Sequence, residues 1–110
     1  MPNALNDSHD GTLAAADQWL KTNIAPLIAS SALQNGGLLI IVFDESVFTD
    51  LSHGGGHVSL VLVGPNVKSG FQGSTIFQHQ STLRLVLSTL SVNSFPGASA
   101  VAPGMAEFFK

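Results

Sequence analysis

At 110 residues the chain makes one domain at most, and a composition 45% hydrophobic against 10% charged excludes a disordered segment. Four Lys and Arg against seven Asp and Glu give a net charge of -3 and no basic stripe, which excludes nucleic acid as a partner. There is no cysteine, hence no disulfide and no thiolate metal site. In chain order, the opening MPNALNDSHD is polar and reads as no signal peptide, and no apolar run approaches the length of a membrane span. Leu13, Ala16, Leu20 and Ile24 recur at helical spacing and predict an amphipathic helix over residues 12–22. Asp10 is its expected cap. A second helix is expected from an Asn23 cap to about Leu33, with Pro26 in its first turn, and Asn35-Gly36-Gly37 stops it.

The run Gly37 to Phe43 lacks alternation and reads as a central strand buried on both faces, ending abruptly at Asp44-Glu45. In open α/β sheets the C-terminal ends of strands are where ligands bind. A loop over residues 46–56 follows, then a strand from Val58 to Val63 closed by Gly64-Pro65. Residues 66–78 read as a connection. Residues 80–90 read as a third helix with Leu83, Val86, Leu87 and Leu90 on one face, and residues 93–110 as an irregular tail. The order is α/β, but two strands make a poor sheet. The low charge content agrees that strands are missing or are supplied by a partner, and that an apolar face is left uncovered.

Four groups of residues can carry chemistry. Adjacent carboxylates repel, so Asp44 and Glu45 beside a buried strand call for a cation or a proton; equally, Glu45 points to solvent and Asp44 caps the loop. Asp50-Leu-Ser-His53-Gly-Gly-Gly-His57 offers two imidazoles and a glycine backbone able to present N–H groups to an anion, or it is a plain flexible loop. Asn6-Asp7-Ser8-His9-Asp10 near the start places an Asp and a His two residues apart, able to bind a metal, with Asp10 reading rather as the cap of the first helix. His79 opens the third helix, where it can donate to a ligand from behind. Arg84 can clamp a phosphate, or form a structural ion pair.

The chain carries, in order, the strings N-x-x-N-D-x-H-D-G, W-L-K-x-x-I-x-P-L-I, G-L-L-I-I-V-F-D-E, H-G-G-G-H-V, V-G-P-x-V-K-x-G, Q-H-Q-S-T-L-R and F-P-G, within a stretch from about Asn3 to Phe109. Together they resemble the phosphoesterase family of acid phosphatases and phospholipases C, within the alkaline phosphatase superfamily. The resemblance implies the C-terminal portion of an α/β sandwich over residues 1–110, with helices packed on a small, incomplete sheet. It implies a hydrolase of phosphate esters that depends on a divalent metal ion in the complete enzyme. Asp44 and Glu45 carry over as metal ligands, and His9 and His53 as the catalytic histidines facing the phosphate. Asp10, His57, His79 and Arg84 carry over as supporting or phosphate-binding groups.

Many members have arginine where this chain has His57, so a fixed cation is replaced by a titratable one. The family's nucleophile comes from an N-terminal part with no counterpart here. The chain alone is therefore expected to be inactive, its partners being that part and a phosphate-ester substrate. Ser46 and Thr49 match no nucleophile position. The family suggests a periplasmic or secreted setting. The alternatives are a non-catalytic metal- or phosphate-binding module, or a structural interaction domain. If the family pattern holds, Asp44, Glu45, His9 and His53 face one cleft at the end of the strand from Leu38 to Phe43.

Overall fold

Thr12 starts the first helix because its backbone is extended and its side chain accepts the Ala15 amide at 3.2 Å. The computed structural model describes residues 2–110 and forms two compact units, one up to Asn66 and one from Val67 onward. In the first unit, α1 runs Leu13–Asn23, with Lys21 in its last turn. The cap expected at Asp10 is thus two residues later, because the Asp10 carboxylate is taken by the His9 ring instead.

The single second helix is in fact two short ones, α2 (Ala25–Ile28) and α3 (Ser31–Gln34). Ser30 separates them. Its hydroxyl donates to the Leu27 carbonyl at 2.6 Å and accepts the Leu33 amide at 3.4 Å, so it offers the backbone an alternative to continuing the helix. Pro26 sits in the first turn of α2 as its missing N–H favours. Asn23 does not cap that helix; its side-chain amide reaches back to the Trp19 carbonyl. Gly36, at φ +102°, turns the chain out of α3.

Strand β1 (Leu39–Val42) pairs antiparallel with β2 (Leu60–Val63), Leu39 opposite Val63 and Val42 opposite Leu60. The fold class is therefore mixed α/β with a small two-stranded antiparallel sheet. A strand buried on both faces is not what forms. Leu39, Ile40 and Ile41 are half-buried and Val42 and Phe43 are exposed, since among the described residues no further strand covers them. Antiparallel pairing also changes the topology around the carboxylates. The chain leaves β1 at Phe43 and returns at Ser59 to the same end of the sheet, where the Phe43 amide bonds the Ser59 carbonyl. Residues 43–59 are one long hairpin connection, not the mouth of a parallel sheet.

In the second unit, α4 (His79–Thr89) packs on a 3-10 turn, Gly97–Ala100. Its buried positions are Ser81 and Leu85. Leu83 and Leu90, expected to face inward, are exposed, while Val86 and Leu87 are half-buried. The small side chains of Ser81 and Ser99, both fully buried, suit a close approach of backbone to backbone, which larger residues would prevent. Arg84 braces the tail: its guanidinium donates to the carbonyls of Ala100 and Ala102 at 3.0 and 2.9 Å and lies 5.0 Å over the Phe95 ring.

The connection before α4 is tied to the tail. Val67 bridges Phe109, and the Lys68 amide bonds the Phe108 carbonyl. The Phe108 ring meets Phe71 edge-on at 5.3 Å and Phe77 at 5.6 Å. The apolar side chains buried among the described residues are Ala16, Leu33, Leu85 and Met105, whereas Phe48 is 89% exposed and Val101 86%. Large apolar side chains thus stand exposed in both units.

Candidate functional site

The segment before α1 is a compact turn that presents one histidine. The Asn3 carbonyl accepts the amides of Asn6 and Asp7, and the Ala4 carbonyl accepts that of Asp10. The Asp7 carboxylate takes the His9 amide at 3.0 Å, and the His9 ring Nδ1 pairs with Asp10 at 3.1 Å. His9 is exposed, and its pKa is raised above the usual 6.5. The hydrogen bond to Asp10 is the largest cause and the Asp10 charge the next; desolvation opposes them, and the charges of Asp7 and Glu45 add the smallest contributions. The imidazole therefore keeps its proton to a higher pH than a free histidine does.

Glu45 reaching His9 electrostatically is the link between this turn and the hairpin connection. Asp44 and Glu45 leave β1 side by side and are both exposed. Further along, the loop folds around Asp50. One carboxylate oxygen accepts the Ser52 amide at 3.0 Å and the Ser52 hydroxyl, and the other accepts the His57 amide at 2.9 Å. These bonds, the Ser52 hydroxyl first, hold the Asp50 pKa down to about 2. His53 sits in the turn Ser52–Gly54 with a left-handed backbone, φ 53°. His53 and His57 are both exposed.

The glycines do not offer their amides to an anion. The N–H of Gly54 goes to Leu51, and those of Gly55 and Gly56 go to Ser52. The expected anion nest is thus used up by the loop's own carbonyls, because a turn this tight needs them. Ser46 faces the carbonyls of Val47, Asp50 and Gly55, none of which is a base. It is built into the loop as a brace, in keeping with its exclusion as a nucleophile.

Of the expected site residues, the first unit pairs His9 with Asp10, and Glu45, next in sequence to Asp44, acts on His9 only as the weakest of its electrostatic influences. His53 and His57 share the Asp50 loop. His79, exposed at the first position of α4, and Arg84 belong to the second unit, where Arg84 holds carbonyls and not an acidic partner. Among the described residues no three of His, Asp or Glu gather as a set able to hold a metal ion. Asp44 and Glu45 are hard oxygen donors, but two ligands fall short of the six or more a magnesium or calcium ion takes. By itself this stretch does not fit a complete metal centre. The sequence places Asp50 at the head of the glycine loop but assigns it no role of its own. Its signal was present as an acidic residue two positions before a serine and seven before a histidine, the spacing of a side chain that closes a turn on itself.

Residues 1–93 match the model of the phosphoesterase family, so the match ends short of the F-P-G string. An acid phosphatase of Aspergillus fumigatus is 32% identical over 88 residues, covering 77% of this chain and 19% of that protein. A phosphatidylinositol-3-phosphatase of Mycobacterium tuberculosis is 34% identical over 90 residues, 82% of this chain and 27% of its own length. A probable acid phosphatase of Kluyveromyces lactis is 31% identical over 85 residues, 77% of this chain and 20% of that protein. The chain thus spans about a fifth to a quarter of the length of these relatives. No solved structure matches it. No helix among the described residues is long and apolar enough to cross a membrane.

Proposed function

The chain belongs to the phosphoesterase family, and from that premise we propose that it supplies part of a site that hydrolyses phosphate monoesters, in the manner of the acid phosphatases it is similar to. The observation that carries the reading is the His9 arrangement. A histidine whose proton is held by Asp10, and whose pKa is raised further by Asp7 and Glu45, is prepared as a general acid for mildly acidic conditions. Its role is to protonate the leaving-group oxygen as the P–O bond breaks. His53 serves as a hydrogen-bond donor to a phosphoryl oxygen.

The nucleophile is proposed to come from a part of the family's domain that this chain does not match. Neither Ser46 nor Thr49 stands in for it: Ser46 is locked onto carbonyls, and Thr49 is exposed beside it on the same loop. Asp44 and Glu45 are proposed as this chain's share of the ligands for a divalent cation, which would offset charge on the phosphoryl oxygens when bound. The other ligands would come from outside these residues.

The test is hydrolysis of an aryl and an alkyl phosphate by the chain alone and by the chain joined to a nucleophile-bearing N-terminal part of the family's domain, with metal content measured for both. The chain alone is expected to match the buffer blank and the joined protein to turn over. In the joined protein His9→Gln should lower kcat by about 100-fold or more for the alkyl ester, the usual scale for loss of a general acid. The loss should be smaller for the aryl ester, whose leaving group needs less protonation. Equal activity of the wild-type and His9→Gln proteins on the alkyl ester would refute the assignment.

A further inference from the structure

The hairpin connection that carries His53 and His57 is closed at a single carboxylate. Asp50 collects three donors from two separated points of the loop, the amide and hydroxyl of Ser52 on one oxygen and the His57 amide on the other. Only a carboxylate can do this. It is all acceptor, whereas an asparagine of the same shape would turn its NH₂ toward one of those N–H groups. From the other side the Ser46 hydroxyl is placed to bond the Asp50 and Gly55 carbonyls at 3.3 and 3.0 Å.

Between these ties stands His53 with φ 53°, a conformation that is costly for a non-glycine residue and persists only where the surroundings fix it. Gly56, at φ +80°, lets the loop close: a Cβ there would lie 1.9 Å from the Ser46 Oγ. We propose that Asp50 is the positioning residue of the phosphoester site, fixing through the Ser52 and His57 bonds where the imidazoles of His53 and His57 stand. This rests on the proposed role of His53 at that site.

The arrangement suits the chemistry proposed above. A loop held by an ordinary carboxylate loosens as acid protonates it. Asp50, whose three hydrogen bonds bring its pKa to about 2, stays ionised throughout the range in which a histidine acid works. The neighbouring His57, when charged, pushes in the same direction.

The experiment is NMR on the full chain, comparing wild type with Asp50→Asn, Asp50→Glu and Ser52→Ala. In Asp50→Asn the exchange protection of the Ser52 and His57 amides should fall at least tenfold, and the imidazole resonances of both His53 and His57 should move. Amides in β1 and β2 should stay as protected as before. Asp50→Glu should restore part of the protection. Should Asp50→Asn fail to fold, Ser52→Ala reads the same point: the Asp50 carboxyl should titrate higher than about 2, with the histidine resonances moving part of the way.

Unchanged His57 protection and unchanged imidazole resonances in the Asp50 variants would overturn the proposal. A kinetic arm in the joined protein separates it from the reading beneath it. Asp50→Asn should lower kcat tenfold or more with KM within twofold. If His53→Ala costs activity while Asp50→Asn does not, the Asp50 inference fails. If His53→Ala itself costs nothing, the His53 role fails, and this inference with it.

Discussion

Replacing Arg84 tests whether a cation suited to phosphate is in fact structural. In the second unit its guanidinium makes two hydrogen bonds to carbonyls, at Ala100 and Ala102, and lies over the Phe95 ring. A hydrogen bond to a charged group is worth about 1.5–3 kcal/mol net and an exposed cation–π contact about 0.5–1 kcal/mol. These do not add fully. Ala100 is exposed and its carbonyl can turn to water, which discounts one bond heavily.

A net loss of roughly 2–3 kcal/mol for Arg84→Ala is therefore expected, a shift of roughly 30- to 150-fold in the local folding equilibrium at about 1.4 kcal/mol per decade. Arg84→Lys keeps the charge but not the planar fork, and should lose about half as much. The assay is urea unfolding read from NMR signals of Phe95 and Met105, since the sole tryptophan, Trp19, lies in the other unit. A variant within about 0.5 kcal/mol of wild type, the range of an ordinary surface substitution, would refute the brace. If that variant also lost affinity for orthophosphate, the phosphate-clamp alternative would take its place.

The glycine loop offers a paired test. Gly56→Ala, at φ +80° and with its Cβ 1.9 Å from the Ser46 hydroxyl, should abolish the loop's amide protection, whereas Gly55→Ala, at φ 175° and in open space, should leave it intact; equal effects would refute the geometry. His9 should titrate above 6.5 by NMR and return toward that value in Asp10→Asn, with a smaller fall in Glu45→Gln. Because the folded pKa is raised, whatever stability the His9–Asp10 contact gives is complete below about pH 6.5. It is lost as pH rises through the folded value, and a contact that strengthened with rising pH would contradict the assignment.

What the sequence made legible was what short-range chemistry decides. The apolar spacing of Leu13, Ala16 and Leu20 marks α1 to within a residue or so, and the Gly36 stop and the β1 and β2 segments lie where pattern and turn residues place them. The misses come from competition that periodicity does not register. Ser30 takes both a carbonyl and an amide and splits a helix that Pro26 alone would have allowed to continue. The inward face of α4 is set by Ser81 and Leu85 because a turn packs there, and spacing of leucines says nothing about which face a partner covers. Asp50 stood in the glycine-loop string without a role, because its part lies in three bonds across seven residues that no spacing rule reads.

The carboxylate pair shows how the demand for a cation depends on the cover of the sheet. Two like charges beside a buried strand are costly, and that cost was the sequence argument for a cation. In the structure the strand is not buried. Val42, Phe43, Asp44 and Glu45 are all exposed, so water screens the pair and nothing compels a metal ion to neutralise it. The same missing cover that leaves Phe43 in water thus removes the demand for a ligand. Were further strands to pack on β1, burial would restore the repulsion, and a cation bound between the two carboxylates would favour the packed state over the open one. Assembly of the sheet and metal binding then become one equilibrium. Comparing metal content in the chain alone and in the joined protein reads this coupling directly. Equal and tight binding in both would show that the carboxylates need no cover to hold a cation.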